Sequence, residues 1–170
     1  MTEPAALREV LVACIGNPDC GDDGIGSLVA QELERQLPSH APLIVRRGDM
    51  LALAEDFAGF NAVVCVDAAA PMDTPGRIHR IDLTSEELPR ELSATSTHGF
   101  GLAEAIELVR ALNRAPRTIV IYAVEGACFD VGAVMTQAVA ASAEETARLV
   151  AGEAERLIAS LDRTSGPASA

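Results

Sequence analysis

The chain has 170 residues, with 25 acidic and 13 basic side chains and a formal net charge of −12. All the basic residues are Arg, which excludes a phosphate-loop lysine, a Schiff-base lysine and a serine-lysine dyad. The acidic balance disfavours nucleic acid and anionic lipid as partners, because affinity for phosphates comes from clustered Lys and Arg. The length predicts one domain: we expect residues 1–163 to form a single α/β domain and residues 164–170 a flexible tail.

The sequence favours a cytoplasmic protein. Residues 1–4 carry no basic side chain before the first apolar run, so they do not resemble a secretion signal. No apolar stretch reaches the roughly 18 residues of a membrane span. The cysteines have no C-x-x-C spacing, and in a reducing compartment we expect them to be small buried hydrophobes. They are Cys14, Cys20, Cys65 and Cys128.

Strands and helices alternate in the first half of the chain. Residues 9–15 are almost all apolar and precede a glycine-rich turn, which predicts a central strand buried on both faces of a parallel sheet. An apolar stripe from Ile25 to Leu37, ended by Pro38, predicts a helix. The next predicted elements are a weak strand over 42–46, a short helix over 51–57, and a buried strand over 61–66 that leads into Asp67.

The second half of the chain continues this alternation. Residues 76–83 suit an edge strand, residues 102–112 an amphipathic helix, and residues 118–124 a third buried strand. A long loop over 126–141 leads to a last helix, with a capping box from Ser142 to Glu145. The pattern predicts an α/β fold: a three-layer sandwich whose twisted, mostly parallel sheet of about five strands carries helices on both faces.

Ligands of open α/β sheets bind beyond the carboxyl ends of the strands, and the turn over residues 16–26 follows the first strand. It contains four glycines together with Asp19, Asp22 and Asp23. A dinucleotide loop is disfavoured, because up to three carboxylates would meet the pyrophosphate. The same carboxylates suit a cation at the positive end of the following helix. Asp22 has an alternative interpretation as a helix cap.

Two further residues are candidates at the same edge. Asp67 ends an apolar strand and precedes three alanines, which favours a functional carboxylate, with capping of the next turn as the structural alternative. His98 precedes Gly99 before the amphipathic helix, where its small neighbour leaves the imidazole open to a ligand. His40 and His79 lie in polar stretches, and we expect both to be exposed.

Two carboxylates and one imidazole form an incomplete coordination sphere for a divalent first-row metal such as Ni, Fe, Mn or Zn. The open positions would go to a substrate. Two aspartates brought together without a cation repel each other and raise one pKa, and a bound divalent ion reverses this effect.

Three motifs together resemble those of the hydrogenase maturation endopeptidases, which cleave the C-terminal extension from the large-subunit precursor of nickel-iron hydrogenases. Order and spacing agree over about residues 9–160, and many relatives have Glu where this chain has the shorter Asp23. The motifs are Gly16-Asn17 with Asp22-Asp23-Gly24-x-Gly26, then Val66-Asp67-Ala68, then His98-Gly99 before a helix.

The resemblance implies that Asp23, Asp67 and His98 are the catalytic and nickel-binding residues. It also implies that the nickel is carried by the precursor rather than held permanently, and that this precursor is the partner. The nickel would act as a template and as a Lewis acid on the scissile carbonyl, and Asp23 or Asp67 could serve as general base. We expect a monomer.

Other functions stay open on the sequence alone. The glycine-rich turn could belong to a Rossmann-like nucleotide-binding module, although the aspartates and the missing lysine count against it. Cys20 or Cys128 with His98 could form the catalytic pair of a thiol hydrolase, without a supporting signature. A metal-independent peptidase of the same fold is a further alternative.

Overall fold

The computed structural model of the chain describes residues 8–87, 89 and 101–164. In that part of the chain, five strands form one sheet, and they agree in type and order with the predicted strands. The strands are β1 (Arg8–Ile15), β2 (Leu43–Arg46), β3 (Phe60–Ala69), β4 (Ile78–Asp82) and β5 (Thr118–Glu125).

Five α-helices and one 3₁₀ turn accompany the described strands. The first helix ends at Leu33, earlier than the predicted stripe, and the predicted loop over 126–141 contains a short helix in its last part. The helices are α1 (Ile25–Leu33), α2 (Met50–Phe57), α3 (Leu102–Ala111), α4 (Gln137–Ala141) and α5 (Ala143–Thr164), and the 3₁₀ turn is Gly21–Gly24.

The strand order is β2-β1-β3-β5-β4. The first four strands in this order are parallel to each other, and β4 lies at the edge, as the sequence predicted, where it pairs with β5 in the antiparallel direction. From β1 the chain passes to β2 on one side, and then crosses to β3 on the other side of β1. The order therefore reverses between β1 and β3, which makes the carboxyl end of this strand pair the switch point of the sheet.

Alternate residues of the central strands supply two separate cores. Val12 and Val64 pack in the core that contains residues of α1 and α5, whereas Ala13 and Val63 pack in the core that contains residues of α2 and α3. Burial on both faces explains why these strands are almost continuously apolar instead of alternating with polar residues. The predicted three-layer arrangement is confirmed.

The sequence suggested that Asp67 follows the end of a strand. Strand β3 instead runs to Ala69, so Asp67 lies inside the strand. The reason is pairing: Ala68 and Ala69 stay in register with Val124 and Glu125 of β5. Alanine has a weak preference for strands, and here a neighbouring strand overrides it.

The capping box predicted at Ser142 is wrong. Ser142 ends helix α4, and both its amide (3.0 Å) and its hydroxyl (2.7 Å) donate to the Val139 carbonyl. The Glu145 carboxylate binds Arg148 in the next turn of α5. The amide that a capping box would use is therefore already occupied by the preceding helix.

Helix α5 extends through Thr164, and residues 165–170 of the predicted tail lie outside the described residues. None of the described helices combines the length and the apolar character that crossing a membrane requires.

Candidate active site

The switch point brings the end of β1 next to Asp67 of β3. Cys14 pairs with Val66 in the parallel register, and one residue after β1 the chain turns at Gly16 with a φ of 140°. A Cβ on Gly16 would lie 1.9 Å from the carbonyl oxygen of Asp23. Glycine is therefore required here, because it lets the 3₁₀ turn that carries Asp23 fold back onto the strand end.

The Asp23 carboxylate accepts a hydrogen bond from the backbone N–H of Asn17, at 2.7 Å. The Asp23 amide donates to the Cys20 carbonyl at 3.2 Å. The side chain and the backbone of Asp23 are thus both tied to the segment between β1 and the 3₁₀ turn. These contacts give the glycine-asparagine sequence a local structural role in orienting the carboxylate.

Asp67 is the most perturbed carboxyl group of this edge. Burial raises the pKa of Asp67 well above its usual range, and the negative charge of Asp23 raises this pKa further. The Ala68 amide donates to the Asp67 carboxylate at 2.8 Å and opposes the shift. The two carboxylates therefore interact electrostatically at this edge, and the role of Asp23 and Asp67 as site residues stays a prediction.

His98, the third predicted ligand, lies outside the described residues. In the part of the chain that the structure describes, no group of three or more His, Cys, Asp or Glu side chains could hold a metal ion. Helix α3 begins four residues beyond His98, at Leu102, and the Glu104 carboxylate accepts a hydrogen bond from the Gly101 amide at 2.8 Å. The complete three-residue site stays a prediction.

Asp22 has a different role from its neighbour. It is fully buried, and its carboxylate accepts hydrogen bonds from the amides of Ala127 (2.7 Å), Cys128 (3.0 Å) and Thr136 (2.7 Å) and from the Thr136 hydroxyl. Burial acts to raise the pKa of Asp22, but these hydrogen bonds outweigh burial and lower it. The capping alternative is wrong, because the N-cap residue of α1 is Gly24 and no side chain caps this helix.

The three aspartates of the turn therefore separate. Asp19 is exposed and pairs with Arg47 at 3.0 Å, and Asp22 binds the loop that follows β5. Only Asp23 adjoins Asp67, so one carboxylate of the turn is available to a ligand at the switch point instead of the three that the sequence allowed. Two acidic groups still oppose a bound pyrophosphate there.

A second buried carboxylate, Glu125, ends strand β5. It is 1% exposed and accepts hydrogen bonds from the amides of Met72 (2.9 Å) and Thr74 (2.6 Å), which fixes the loop after β3. The His79 Nε2 lies 3.7 Å from this carboxylate, buried and without a hydrogen-bond partner within the described residues. The expectation that His79 is exposed is wrong, because β4 pairs with β5. Glu125 could have been found from the sequence by the signal that identified Asp67, because both are acidic residues at the end of an apolar run.

The cysteines are free thiols, and burial disfavours the reactive thiolate form of two of them. Burial raises the pKa of Cys14 to about 12, and burial raises the pKa of Cys65 well above its usual range. Cys20 is also buried, and its Sγ accepts a hydrogen bond from the Asn17 amide group at 3.4 Å. Cys128 is only half-buried, so the expectation of a buried thiol fails there: the loop after β5 leaves one side open.

Comparisons with known proteins agree with this fold. Residues 29–153 match the model of the HycI hydrogenase maturation protease family, a span that contains positions 67 and 98 and lies beyond position 23. Comparison with curated proteins gives no match. The chain belongs to the hydrogenase maturation protease family and is therefore a peptide hydrolase, as the motifs had suggested.

Solved structures share the fold over nearly the whole chain. The hydrogenase maturating endopeptidase HybD from Escherichia coli is 19% identical, with a TM-score of 0.64 and coverage of 92% of this chain and 94% of that one. The [NiFe] hydrogenase maturation protease HycI from Thermococcus kodakarensis KOD1 is 22% identical, with a TM-score of 0.66 and coverage of 91% and 95%. An endopeptidase from Escherichia coli is 23% identical, with a TM-score of 0.71 and coverage of 92% and 94%.

Proposed function

We propose that this peptide hydrolase removes the C-terminal extension from the large-subunit precursor of a nickel-iron hydrogenase. In this proposal Asp23, Asp67 and His98 recognise nickel that the precursor already carries. The observation that supports it most directly is the repulsive approach of Asp23 and Asp67 at the switch point of the sheet. A pair of partly buried acidic groups that repel each other is costly for the fold, and a divalent cation removes the cost.

The donor set fits nickel as part of the substrate. Two carboxylates and one imidazole suit divalent first-row metals and leave positions open for ligands of the precursor. When bound, the ion would hold the precursor in register and polarise the scissile carbonyl. Recognition of the loaded ion would make cleavage depend on completed nickel insertion.

Chain connectivity supports the inclusion of His98. Cys65 and Ala69 alternate with Asp67 along β3, and both belong to the core that contains residues of α3. Asp67 therefore faces the side of the sheet on which α3 lies. Gly101 immediately precedes α3, and three residues of chain span at most about 10 Å. The imidazole is proposed to reach the carboxylates from this side.

Asp67 is the proposed proton acceptor, because its raised pKa makes its ionised form a stronger base than an ordinary aspartate. We assign to it the proton of the water that attacks the scissile carbonyl, and the return of that proton to the leaving amine. The Asn17 amide holds the Asp23 carboxylate at 2.7 Å. The charge of this carboxylate sustains the raised pKa of Asp67 until a cation arrives.

Substitution of the site residues tests this assignment. Asp67→Asn and His98→Ala are expected to abolish cleavage of the nickel-loaded precursor, measured by mass spectrometry, with circular dichroism and cooperative unfolding retained. Asp23→Glu should retain more activity than Asp23→Ala, because a carboxylate is preserved. Full activity in Asp67→Asn or in His98→Ala contradicts the proposed site.

Cys20→Ser separates this mechanism from thiol catalysis. Cys20 is buried, and its Sγ accepts a hydrogen bond from the Asn17 side chain. We therefore expect the serine variant to cleave the precursor at a rate close to that of the original chain. Complete loss of turnover in a folded Cys20→Ser protein would assign the reaction to a thiol nucleophile instead.

A further inference from the structure

We infer that the carboxyl edge of the sheet is a docking surface for the folded body of the protein substrate, with apolar contacts on both sides of the Asp23–Asp67 pair. This inference rests on the proposed function, which requires a protein substrate at that pair. It adds the residues that bind the substrate away from the cleaved bond.

Exposed large apolar side chains are concentrated at this edge. Within the described residues six such side chains are exposed, and five of them lie on the elements or loops at the carboxyl ends of the strands. The exception is Leu112, which follows α3 on the way to the amino end of β5. We call the five the carboxyl-edge surface: Val45, Leu51, Met72, Val131 and Val134.

The surface flanks the candidate site on two sides. Val45 is in β2, on the side of β1 away from β3, and Leu51 is in the first turn of α2, the helix that follows β2. Met72 lies in the loop after β3, and its amide binds Glu125 at the end of β5. A substrate that reaches the switch point would meet apolar side chains from both directions.

Val131 and Val134 are the most exposed members, at 76% and 87%. The segment that carries them lies on the turn of the candidate site: the Gly132 amide donates to the Asp19 carbonyl at 2.7 Å, and the Gly21 amide donates to the Ala133 carbonyl at 3.2 Å. Both valines therefore stand beside the turn that contains Asp23.

The exposure of these valines is not a result of loose structure. Asp22 fixes the segment at both ends, through Ala127 and Cys128 on one side and Thr136 on the other. The segment is held by the buried Asp22 carboxylate. The two valines on it bury only a small part of their apolar surface in the isolated chain. Rigid apolar anchors of this kind suit a preformed protein-binding surface, because little ordering entropy is lost when a partner binds.

The occupant that fits is a folded protein with an apolar rim around its metal-bearing segment. A nucleic acid is a poor fit, because the chain has a net charge of −12. The exposed apolar side chains lie on separate elements, namely β2, α2 and the loops after β3 and β5, and a folded partner offers contacts to more of these elements than one extended segment does. The two flanks thus favour the whole precursor over its tail.

The test uses the double variant Val131→Ser/Val134→Ser and the nickel-loaded large-subunit precursor of the hydrogenase from the same organism. Leu112→Ser, at an exposed apolar residue (55%) on the opposite edge, is the control. Binding is measured by calorimetry with the Asp67→Asn substitution in every protein, and cleavage kinetics are measured without it. Thermal unfolding of each variant verifies that the fold is retained.

We expect the double variant to raise both Kd and KM by about tenfold, to leave kcat at saturating precursor unchanged, and to unfold at the original temperature. Leu112→Ser should alter none of these values. Kd and KM within about twofold of the original would overturn the docking surface, with or without a change in kcat. Loss of a dimer in sedimentation experiments with unchanged precursor affinity would assign the surface to a second copy and would also overturn it.

The same data separate this inference from the proposed function. If the Kd of the precursor rises in the Val131→Ser/Val134→Ser variant but no protein cleaves the precursor, the proposed function is refuted and the docking surface is kept. Cleavage with valine-independent binding would keep the proposed function and refute the docking surface. Absence of any binding by the original chain would refute both.

Discussion

Asp67 has a raised pKa in the folded protein because it is buried and because Asp23 is near. A carboxyl group whose pKa is higher in the folded than in the unfolded state binds protons more tightly when folded. Its ionisation therefore lowers the free energy of unfolding as the pH rises above the pKa of the unfolded chain. A residue with such a cost serves chemistry rather than the fold.

The substitution Asp67→Asn is accordingly expected to stabilise the protein at neutral pH while it removes activity. The asparagine keeps an oxygen for the Ala68 amide and carries no charge to repel Asp23. Each kcal/mol gained raises Tm by about 2–4 °C in a protein of this size. Thermal unfolding at pH 7 measures the shift, and Asp162→Asn, at an exposed position of α5, is the control without effect. A Tm below that of the original chain would show that the ionised carboxylate has a structural role.

At the residue scale, the sequence singled out Asp67 because an acidic residue in an apolar strand is costly without a function, and the negative charge of Asp23 does act on Asp67 in the fold. It did not predict that Asp22 is fully buried. The two adjacent aspartates have the same local sequence signals, and only a loop more than a hundred positions away determines which of them is buried.

The turn after β1 and the loop after β5 form one unit through Asp22. Three backbone amides and one hydroxyl converge on this carboxylate, and several such bonds to one charged acceptor are strong. Because the hydrogen bonds lower the pKa of Asp22, the stabilisation is present above the pKa of the unfolded carboxyl group. It is lost only as the pH falls through the lower folded value.

Asp22→Asn should release the loop selectively. The asparagine would direct an NH₂ group toward backbone donors and leave at least one of them unpaired, which costs about 1–3 kcal/mol. We expect faster hydrogen exchange at the amides of Ala127, Cys128 and Thr136, and slower cleavage because Asp23 is adjacent. Exchange at single-residue resolution is the measurement, with Asp19→Asn as an exposed control. Unchanged protection of these amides would contradict the role of Asp22.

The strands and helices of this chain were predictable where apolar periodicity is strong. β1 and β5 differ from their predicted bounds by one residue at one end. The errors occur where pairing or packing overrides local signals: β3 extends through its alanines because β5 lies alongside, and Ser142 ends one helix instead of capping the next. Such contacts depend on tertiary structure and have no local signature.

A third buried carboxylate, Glu153, joins helix α5 to the β4–β5 edge of the sheet. Glu153 is 7% exposed and accepts hydrogen bonds from Arg80 of β4 (2.8 Å), Tyr122 of β5 (2.8 Å) and Arg156 of its own helix. Burial opposes ionisation, but these partners lower the pKa of Glu153 to about 2. Burial and the adjacent Glu153 raise the pKa of Tyr122 to about 12.

Stability in acid should depend on this carboxylate. The folded pKa of Glu153 is below its ordinary value of 4.5, so its contribution is complete above that value and disappears as the pH falls toward about 2. Glu153→Gln is expected to reduce the free energy of unfolding at pH 7 and to flatten its decline between about pH 4.5 and 2. Urea unfolding across this range measures both effects, with exposed Glu155→Gln as the control. If the free energy of unfolding declined equally between pH 4.5 and 2 in Glu153→Gln and in Glu155→Gln, the role of Glu153 would be contradicted.

For the whole molecule, the composition and the alternation of elements predicted the layered α/β fold, and the motifs predicted the family that comparison confirmed. The strand order was not predictable, because apolar runs specify burial but not neighbours. The switch point between β1 and β3, and with it the meeting of Asp23 and Asp67, follows from that order.

The central claim is that the enzyme recognises nickel carried by its protein substrate. The most direct measurement incubates the original chain with nickel-loaded and with nickel-free large-subunit precursor from the same organism, followed by mass spectrometry of the products. We expect a shortened large subunit and a released C-terminal peptide only with the nickel-loaded precursor. Equal cleavage of both forms, or cleavage of neither, would contradict the account.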